Sequence, residues 1–296
     1  PVFNFDIRTL VHELHNQTMK LSIPFEILVI DDASEQKYNI INRNITTLSN
    51  VRYVELAENI GRSRIRNRLC EMAQHEYLLF MDSDASIKSS SFIADYLCYC
   101  KGEVVVCGGT GYEQSYEPYQ SKQEYQLRLH YGHKRECKTA AERSIHPNRY
   151  FSTFNFLISK SILQKVRFDE RLTQYGHEDT LFGIELKRRN IAIQHIDNPL
   201  FHQELDSSNV FISKALSGVN NLSIITKQET FSSEVTSEIK LLRYHQFVRR
   251  LGLSPIFTFI YKKGHHAMEK NLQRNGSNLF YFDILRLSYL CSLSNR

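Results

Sequence analysis

Two short apolar runs, each followed by acidic residues, constrain the fold of this chain more than any other feature. The first covers residues 27–30 and is followed by Asp31 and Asp32, and the second covers residues 77–81 and is followed by Asp82-Ser83-Asp84. Short apolar runs of this kind predict buried strands. Because alternate residues of an extended segment point the same way, Asp82 and Asp84 can face one ligand together.

Helix and strand signals alternate along the first two thirds of the sequence. The expected helices cover residues 5–20, 35–48, 62–74, 90–100 and 178–190, and the expected further strands cover residues 52–56, 104–106, 151–158 and 191–196. This alternation is typical of an α/β fold with a mainly parallel central sheet flanked by helices. In such sheets, ligands bind beyond the carboxyl ends of the strands.

The size and charge of the chain indicate a large folded region with a basic end. The 296 residues allow one large or two ordinary domains, and a hydrophobic content of 42% argues against disorder. From Leu205 onward there are twelve Lys and Arg against six Asp and Glu, and the pattern changes to helical segments with polar joins. We therefore expect one domain over residues 1–204 and a basic, mainly helical extension over residues 205–296.

Cysteine usage and hydropathy indicate the compartment. The six cysteines include no Cys-x-x-Cys pair, which favours reduced thiols in a cytoplasmic protein. The sequence has no run of about eighteen apolar residues, the length that spans a bilayer, and no signal segment opens it. We expect a cytoplasmic location, peripheral at the inner face of the cell membrane. Pro1-Val2-Phe3 is compatible with the end of a first strand.

The carboxylates that follow residues 77–81 predict a metal site. Hard oxygen ligands at the end of a strand suit Mg²⁺ or Mn²⁺ carrying a diphosphate, because such ions need only one or two protein carboxylates. Asp-Ser-Asp after a strand is also common turn chemistry. The second pair of carboxylates, after residues 27–30, favours a shared acidic edge over two unrelated turns.

Several segments follow one another in an order that resembles the family 2 glycosyltransferases with the GT-A fold. They are Pro1-Val2-Phe3-Asn4, Val29-Ile30-Asp31-Asp32-Ala33-Ser34, Asn59-Ile60-Gly61-Arg62-Ser63-Arg64-Ile65-Arg66-Asn67, Asp82-Ser83-Asp84, Phe168-Asp169-Glu170, Gly176-His177-Glu178-Asp179 and His202. The resemblance covers residues 1–204 and implies a Rossmann-like sheet. It also implies inverting transfer of a hexosyl or N-acetylhexosaminyl group from a UDP-sugar. The acceptor would be a hydroxyl of a glycan or lipid-linked glycan in bacterial surface polysaccharide synthesis.

The resemblance implies that Mn²⁺ or Mg²⁺ is bound by Asp82 and Asp84 together with His202. Asp84 is expected to ligate the ion, and Asp82 to contact the ribose and bind the ion through water. His202 is expected to complete the metal shell, with Glu204 as a rival ligand. A lone histidine is more often structural, so this assignment depends on the order of the motifs.

Further residues are expected to bind the donor. They are Asn4, Asp32, Asn59, Gly61, Arg66, Ser83, Gly109 and Asn155. The resemblance implies that Asp32 accepts the ring N–H of uracil, although it is also placed to cap a helix. Gly61 would allow a tight turn near the nucleotide. Arg66 would contact the pyrophosphate or hold the acidic edge.

Two of these donor candidates have a weaker basis. Gly109 follows an apolar run, where a glycine often marks a close approach of the backbone to a ligand. Asn155 lies in the expected strand over residues 151–158 and could bond a sugar hydroxyl.

Glu178 and Asp179 are the candidates for acceptor chemistry. Transfer to a hydroxyl needs a general base, and the resemblance implies that Asp179 is this base while Glu178 holds sugar hydroxyls. Acidic residues at the start of a helix also stabilise it through the helix dipole. Both interpretations stay open at this point.

The basic extension allows several partners. Its basic residues are interleaved with aromatic and aliphatic ones, which suits an anionic membrane surface and equally a helical subdomain with a solvated basic face. A nucleic-acid binder would explain the charge but leave Glu178 and Asp179 without a role, so no nucleic acid is expected. A nucleotidyltransferase acting on sugar phosphates is the second enzyme class that acidic metal ligands allow.

Overall fold

A computed structural model describes residues 1–113, 117, 119–172, 176–226, 232–275 and 278–294. The chain divides into two compact units. Unit 1 comprises Pro1–Gly111, Lys138–Thr173 and Glu178–Gln203, and unit 2 comprises Tyr112–Cys137, Gln174–His177 and Glu204–Arg296. The polar segment that starts at residue 112 therefore groups with the C-terminal residues. The predicted domain division at residue 204 stays a prediction.

The strands all lie in unit 1, among the described residues. They are β1 (Ile27–Asp31), β2 (Val51–Glu55), β3 (Tyr77–Met81), β4 (Ala85–Ser86), β5 (Val105–Cys107), β6 (Thr110–Gly111), β7 (Asn155–Ser159), β8 (Gln194–His195) and β9 (Leu200–His202). The two apolar runs with acidic ends are therefore strands, as predicted.

The α-helices occur in both units. They are α1 (Arg8–Met19), α2 (Gln36–Asn42), α3 (Arg62–Met72), α4 (Phe92–Leu97), α5 (Gln126–Tyr131), α6 (Ala140–Ser144), α7 (Lys160–Lys165), α8 (Glu178–Arg188), α9 (Ser208–Ile225), α10 (Ser232–Glu238), α11 (Lys240–Arg250), α12 (Ser254–Asn275) and α13 (Leu279–Ser294). Short 3₁₀ helices cover Arg43–Thr47, Gln123–Tyr125 and Pro147–Tyr150, and a π-helical turn covers Gly132–Glu136.

The strands form three small mixed sheets. β1 pairs with β2 in parallel, a second sheet has the order β3-β7-β5-β8, and a third has the order β4-β9-β6. The α/β class with a C-terminal helical region is as predicted. The expected predominance of parallel pairing is corrected, because β7 runs antiparallel to both β3 and β5. All five residues of β7 are buried, and a strand buried on both faces carries no sequence sign of its direction.

Two apolar layers cover the opposite faces of the longer strands of unit 1. Side chains of β7 alternate between them: Phe156 and Ile158 pack into one layer with α3, α7 and α8, and Leu157 packs into the other with α1 and α4. This alternation follows from the two-residue period of a strand. The layers cover β1 and β3 on both faces, so the acidic residues at the ends of these strands are positioned by buried strands.

Unit 2 is helical among its described residues. Its largest apolar cluster joins α5, α9, α12 and α13 through Leu127, Ile212, Leu272 and Phe282. A smaller cluster, built on Val248, Leu287 and Cys291, packs α11 against α13. Within the described part of the chain, every helix is too short or too polar to cross a bilayer.

Candidate active site

The loop that precedes α3 is anchored on Asp32, directly after β1. The buried Asp32 carboxylate accepts hydrogen bonds from the amides of Ile60 at 2.7 Å and Gly61 at 3.1 Å. Asn59 Nδ2 donates to the Asp32 carbonyl at 3.0 Å. Gly61 has φ +82°, a conformation that a glycine adopts without strain. The structure thus brings together three predicted donor residues, and the predicted nucleobase contact stays a prediction.

Asp31 has an internal role that the sequence did not reveal. Its carboxylate accepts from the Ser34 amide at 2.7 Å and from the Tyr53 hydroxyl at 2.8 Å. Burial and the neighbouring Asp31 raise the pKa of Tyr53. Asn4 braces the same turn, because its amide donates to Ser34 Oγ and its Oδ1 accepts from the Glu35 amide, both at 2.8 Å.

Arg66 links the end of β3 to the start of α8. Its side chain is only 2% exposed. Nη2 donates to Asp82 Oδ1 at 2.8 Å, and Nη1 lies 3.5 Å from Glu178 Oε1. Nη1 is buried and has no hydrogen-bond partner among the described residues. A buried guanidinium beside two carboxylates holds both in place and favours the ionised form of Asp82.

The charge around Asp82 sets its protonation. Burial alone would raise the pKa of Asp82, but Arg66 and Arg62 outweigh it and lower the pKa below its ordinary value. Arg62 also lies 3.5 Å from Glu178 Oε1. Asp82 is therefore an anion at neutral pH, as a contact to a ribose or a metal-bound water requires. Ser83, between the two aspartates, is half-buried.

Asp84 and His202, the two predicted metal ligands, lie side by side, and their binding of a metal stays a prediction. His202 Nδ1 is 3.0 Å from Asp84 Oδ2. The antiparallel pairing of β4 with β9 sets this position, since it places His202 opposite Ala85. Gln203 strengthens the pairing, because its amide donates to the Asp84 carbonyl at 2.7 Å and its Nε2 to the Ala85 carbonyl at 2.9 Å.

The Asp84–His202 pair fits a divalent ion. Within the described ranges, no three carboxylate, imidazole or thiol side chains converge as a ready-made metal site. However, neighbouring ligands of an octahedral ion with bonds of about 2.1 Å lie about 3 Å apart, and the two donor atoms here are 3.0 Å apart. Carboxylate oxygen and imidazole nitrogen are both suitable for Mn²⁺. The pair can therefore supply two of the ligands while a diphosphate and water supply the rest.

Asp179 has the environment of a base. It is the second residue of α8, and Oδ1 accepts from the Thr180 amide at 2.6 Å. Burial and the adjacent Glu178 raise the pKa of Asp179 to about 6. A carboxylate with this pKa is ionised at neutral pH and takes up a proton more readily than an ordinary aspartate does. The shift is opposite in sign to that of Asp82.

Two predicted donor residues are occupied by internal contacts instead. The amide group of Asn155 accepts from Tyr96 Oη at 2.7 Å and donates to the carbonyls of Gly109 and Asn198 at 3.0 and 2.8 Å. A Cβ on Gly109 would lie 2.7 Å from Arg143 Nη2. The glycine therefore allows a close approach of protein to protein. This geometry does not support the predicted ligand contacts of Asn155 and Gly109.

Asn67 is a supporting residue whose role the sequence did not indicate. Its buried amide donates to the Phe168 carbonyl at 3.0 Å and to Glu170 Oε1 at 2.8 Å, and it accepts from the Phe168 amide at 3.0 Å. Residues 168–170 are thereby tied to α3. Two features of the sequence are consistent with this role: Asn67 directly follows Arg66, and Phe168-Asp169-Glu170 is one of the segments that carry the family resemblance.

Comparisons with known proteins identify the family and the fold. The sequence model described as glycosyl transferase family 2 matches residues 1–167. A hyaluronan synthase from Pasteurella multocida is 26% identical over 215 residues, which are 62% of this chain and 22% of that protein. The chain thus spans about a fifth of the length of this curated relative.

Solved structures of similar fold cover the whole chain. The mannosyltransferase PcManGT from Pyrobaculum calidifontis, solved with GDP-Man and Mn²⁺, matches with a TM-score of 0.59 and 12% identity over 100% of this chain and 84% of its own. TarS residues 1–349 from S. aureus match with a TM-score of 0.48 and 18% identity over 100% of this chain and 89% of theirs. The mannosyltransferase shows that the fold is that of the GT-A enzymes.

Proposed function

The chain belongs to glycosyl transferase family 2, and we propose that it transfers a sugar from a UDP-sugar to an acceptor hydroxyl with a divalent metal. One observation carries this proposal. Arg66 holds Asp82 and lies beside Glu178, so it connects the strand end that carries the Asp82-Ser83-Asp84 motif to the helix start that carries Asp179. The buried guanidinium of Arg66 thereby links the carboxylates proposed to bind the donor to the helix that carries the proposed base.

The two carboxylates with shifted pKa values, Asp179 and Asp82, fit the activation of the acceptor and the binding of the donor. Asp179, with its pKa raised to about 6, would take the proton of the acceptor hydroxyl. The acceptor oxygen then forms a bond to the anomeric carbon as the bond from that carbon to the diphosphate oxygen breaks. The nucleoside diphosphate leaves with the electron pair, and the anomeric configuration inverts. Asp82, with its pKa lowered, stays ionised throughout.

A metal ion and a uracil base complete the proposed donor site. Asp84 and His202 would hold Mn²⁺ or Mg²⁺, which when bound neutralises the charge that develops on the diphosphate. PcManGT was solved with Mn²⁺, which supports a divalent ion in this fold. Asp32 supports uracil, since a carboxylate oxygen with one hydrogen bond retains a second lone pair for a ring N–H.

A screen of nucleotide-sugars tests the reaction class. We expect Mn²⁺-dependent release of UDP from a UDP-hexose or a UDP-N-acetylhexosamine, measured with and without EDTA. Asp179→Asn should bind UDP as the wild type does but lose transfer to acceptor by about 10³-fold. Asp95→Asn, on α4, is the matched control with an unchanged rate. Release of pyrophosphate from UTP and a sugar phosphate would indicate a nucleotidyltransferase instead.

The pH dependence provides an independent check on Asp179. A base with a pKa of about 6 is protonated in more acidic solution, so kcat should fall as the pH drops below about 6. The fall should be tenfold per pH unit at the acid end. A profile that stays flat down to pH 4.5 would remove Asp179 as the base.

We propose that the acceptor is a glycan or a lipid-linked glycan of a bacterial surface polysaccharide and that unit 2 binds an anionic membrane. Residues 240–263 contain six Lys and Arg and no Asp or Glu. Five large apolar side chains of the same segment are exposed: Tyr244, Phe247, Leu251, Ile256 and Phe259. Cations beside exposed apolar side chains suit anionic lipid headgroups.

Vesicle sedimentation tests the membrane contact. The protein should bind vesicles that contain phosphatidylglycerol and not those of phosphatidylcholine alone. The double change Phe247→Ser and Phe259→Ser, at side chains 60% and 62% exposed, should weaken binding about tenfold or more. Ile145→Ser, at a 70% exposed residue of unit 1, is the control. Equal binding to DNA and to anionic vesicles would favour non-specific attraction by charge.

A further inference from the structure

Arg143, the fourth residue of α6, is a buried cation in unit 1 that the proposed reaction does not use. Its side chain is 5% exposed. Its one ion-pair partner among the described residues is Asp197, whose Oδ1 lies 3.8 Å from Nη2 on a side chain that is 66% exposed. A buried charge is costly unless it is paired or well hydrogen-bonded. Other polar groups around Arg143 must therefore stabilise its charge.

Four hydrogen bonds of Arg143 join two neighbouring strands at their carboxyl ends. Nη1 donates to the Cys107 carbonyl at 3.0 Å and Nη2 to the Gly108 carbonyl at 3.2 Å, where β5 ends. Nη1 also donates to His195 Nδ1 at 2.9 Å, and Nη2 to the Ile196 carbonyl at 2.7 Å, where β8 ends. β5 and β8 pair in parallel, so a single guanidinium ties the ends of both strands together.

The backbone departs from regular strand geometry at this point, which we call the bend (residues 107–109 and 195–200). Three successive carbonyls after β5 accept hydrogen bonds from alternate amides after β8. The amides of Ile196, Asn198 and Leu200 donate to the carbonyls of Cys107, Gly108 and Gly109. In a regular parallel pair, only alternate carbonyls of a strand face the same neighbour. Gly109 permits the departure with φ +88°, and the charge of Arg143 offsets the repulsion between carbonyls that point the same way.

The bend sets the position of His202. Beyond it, the two segments pair in parallel again as β6 and β9, with Gly111 opposite Phe201. His202 is the last residue of β9 and lies opposite Ala85. Its Nδ1 is 3.0 Å from Asp84 Oδ2. A shift of the backbone at the bend therefore moves β9 and changes the distance between His202 and Asp84.

We propose that Arg143 is a positioning residue of the donor site, which fixes the bend and thereby holds His202 beside Asp84 at the distance that a divalent ion needs. The part that concerns the metal rests on the proposed function, whereas the positioning of His202 does not. Residues that orient metal ligands from outside typically change metal affinity by about 10–100-fold when they are substituted.

The helix that carries Arg143 is itself fixed to the bend. Thr139 and Glu142 form a capping box at the start of α6. The amide of Ala140 donates to Asp197 Oδ1 at 2.6 Å, and Asp197 belongs to the bend. α6 is therefore joined to this turn both by its first amide and by the guanidinium of Arg143, which leaves the guanidinium little freedom to move.

His195 provides a spectroscopic marker for the contact. A guanidinium only donates hydrogen bonds, so His195 Nδ1 accepts from Arg143 and the ring proton is on Nε2. That nitrogen donates to the Pro147 carbonyl at 3.0 Å. Burial lowers the pKa of His195, so the ring is neutral at neutral pH. The structure thus assigns one tautomer to His195 for as long as Arg143 is in place.

Calorimetric titration with Mn²⁺ in the presence of UDP tests the effect on metal binding. Arg143→Lys keeps the charge but cannot reach all four partners, so the Kd for Mn²⁺ should rise about tenfold or more. In a His202→Ala background, the same substitution should change Kd by less than about twofold, because its effect passes through His202.

Ser159→Ala is the matched control at the opposite end of β5. Ser159 Oγ accepts from the Val104 amide at 2.7 Å and donates to the Gly102 carbonyl at 3.2 Å. Loss of these buried bonds should lower Tm and leave the Kd for Mn²⁺ unchanged. An equal rise of Kd in Ser159→Ala and in Arg143→Lys would overturn the inference, because it would reduce the role of Arg143 to general stability.

Nitrogen-15 NMR of the histidine rings tests the positioning without metal. In the wild type, His195 should show an unprotonated Nδ1. In Arg143→Lys the signals of His195 and His202 should both shift, and in Ser159→Ala neither should. His202→Ala identifies the His202 signals. If Arg143→Lys does not fold, Asp197→Ala, at an exposed side chain of the bend, should shift the same His202 signals.

The two measurements separate this inference from the proposed function. Unchanged His202 signals in the folded variant would overturn the inference. So would an unchanged Kd for Mn²⁺ in Arg143→Lys beside a weakened one in His202→Ala, or a loss of affinity that is equally large in the His202→Ala background. Shifted His202 signals in a protein whose wild type binds no Mn²⁺ would support the positioning role and contradict the proposed metal.

Discussion

The ends of β1 and β3 carry the same sequence signature but have different partners. After β1, Asp31 and Asp32 accept hydrogen bonds from backbone amides and from the hydroxyl of Tyr53. After β3, the carboxylates of Asp82 and Asp84 contact the side chains of Arg66 and His202. The first end is held by groups of fixed position, and the second by charged or ionisable side chains that a ligand can join or displace.

This difference indicates that Asp31 has a structural role, whereas the carboxylates after β3 are available for ligands. A carboxylate that accepts backbone hydrogen bonds fixes a loop, and its removal leaves buried donors unpaired. A carboxylate whose partner is a guanidinium or an imidazole side chain lies where a metal can bind. We therefore expect substitutions after β3 to change catalysis and substitution of Asp31, at the end of β1, to change stability.

The largest effect should come from Asp84→Ala. Loss of a metal ligand removes several kcal/mol of transition-state stabilisation, so kcat/KM with Mn²⁺ should fall by about 10³-fold. The Tm should change by no more than about 2 °C, because Asp84 is partly exposed. Initial rates at several Mn²⁺ concentrations measure the effect, with Asp95→Ala as the control. Full activity in Asp84→Ala would assign the metal to other residues.

The second largest effect on activity should come from substitution of Arg66, whose guanidinium contacts Asp82 at the end of β3. Arg66→Gln should lower kcat by about 100-fold, because Asp82 and Glu178 lose their shared positive charge. Since the charge of Arg66 opposes the rise in the pKa of Asp179, the acid limb of the pH profile should move to higher pH in Arg66→Gln. Arg66→Lys keeps the charge and should restore the profile but not the full rate. Circular dichroism checks that each variant is folded, and identical profiles in both would contradict this role.

A smaller effect on activity, with a clear loss of stability, is expected at the β1 end. Asp31→Asn weakens the bonds to Ser34 and Tyr53 and should lower the free energy of unfolding by about 1–3 kcal/mol. Activity at low temperature should stay within about twofold of the wild type, because Asp31 contacts no proposed ligand residue. Urea unfolding and steady-state rates separate the two quantities. A loss of metal-dependent activity without a loss of stability would make the two ends equivalent.

The smallest effect is expected on the stability of Asp179→Asn, at the start of α8. The pKa of Asp179 is raised in the folded protein, so its ionised form is disfavoured relative to the unfolded chain. This cost is absent at about pH 4 and grows as the pH rises through about 6. Asp179→Asn should therefore raise Tm by about 2 °C at pH 8 and by nothing at pH 4. Equal shifts at both pH values would show that burial does not oppose ionisation there.

The sequence predicted the strands and residues of this site better than the contacts between them. Apolar runs and acidic ends identified β1 and β3, and the family resemblance named Asp84 and His202, which lie side by side in the structure. The bridging contacts of Arg66 and the clamp of Asn67 join residues that are far apart along the chain. No periodicity reports such contacts, because they depend on how α3 packs against α8.

The features that the sequence did not reveal also have physical reasons. Asn155 and Gly109 lie at the ends of strands, where a polar residue or a glycine can serve either a ligand or the packing of the sheet. In this chain they serve packing, through Tyr96, Asn198 and Arg143. The direction of β7 was not visible, since its residues are buried on both faces. The inclusion of residues 112–137 in unit 2 depends on long-range packing, which composition does not report.

Calorimetric titration of UDP in the presence of Mn²⁺ tests the central claim most directly, because it measures donor binding without turnover. The wild type and Asp31→Asn should bind UDP with similar affinity, and removal of Mn²⁺ should weaken both. Asp84→Asn should bind UDP weakly and show no response to Mn²⁺. Undiminished Mn²⁺-dependent binding in Asp84→Asn, together with its loss in Asp31→Asn, would contradict the assignment of the donor site to the end of β3.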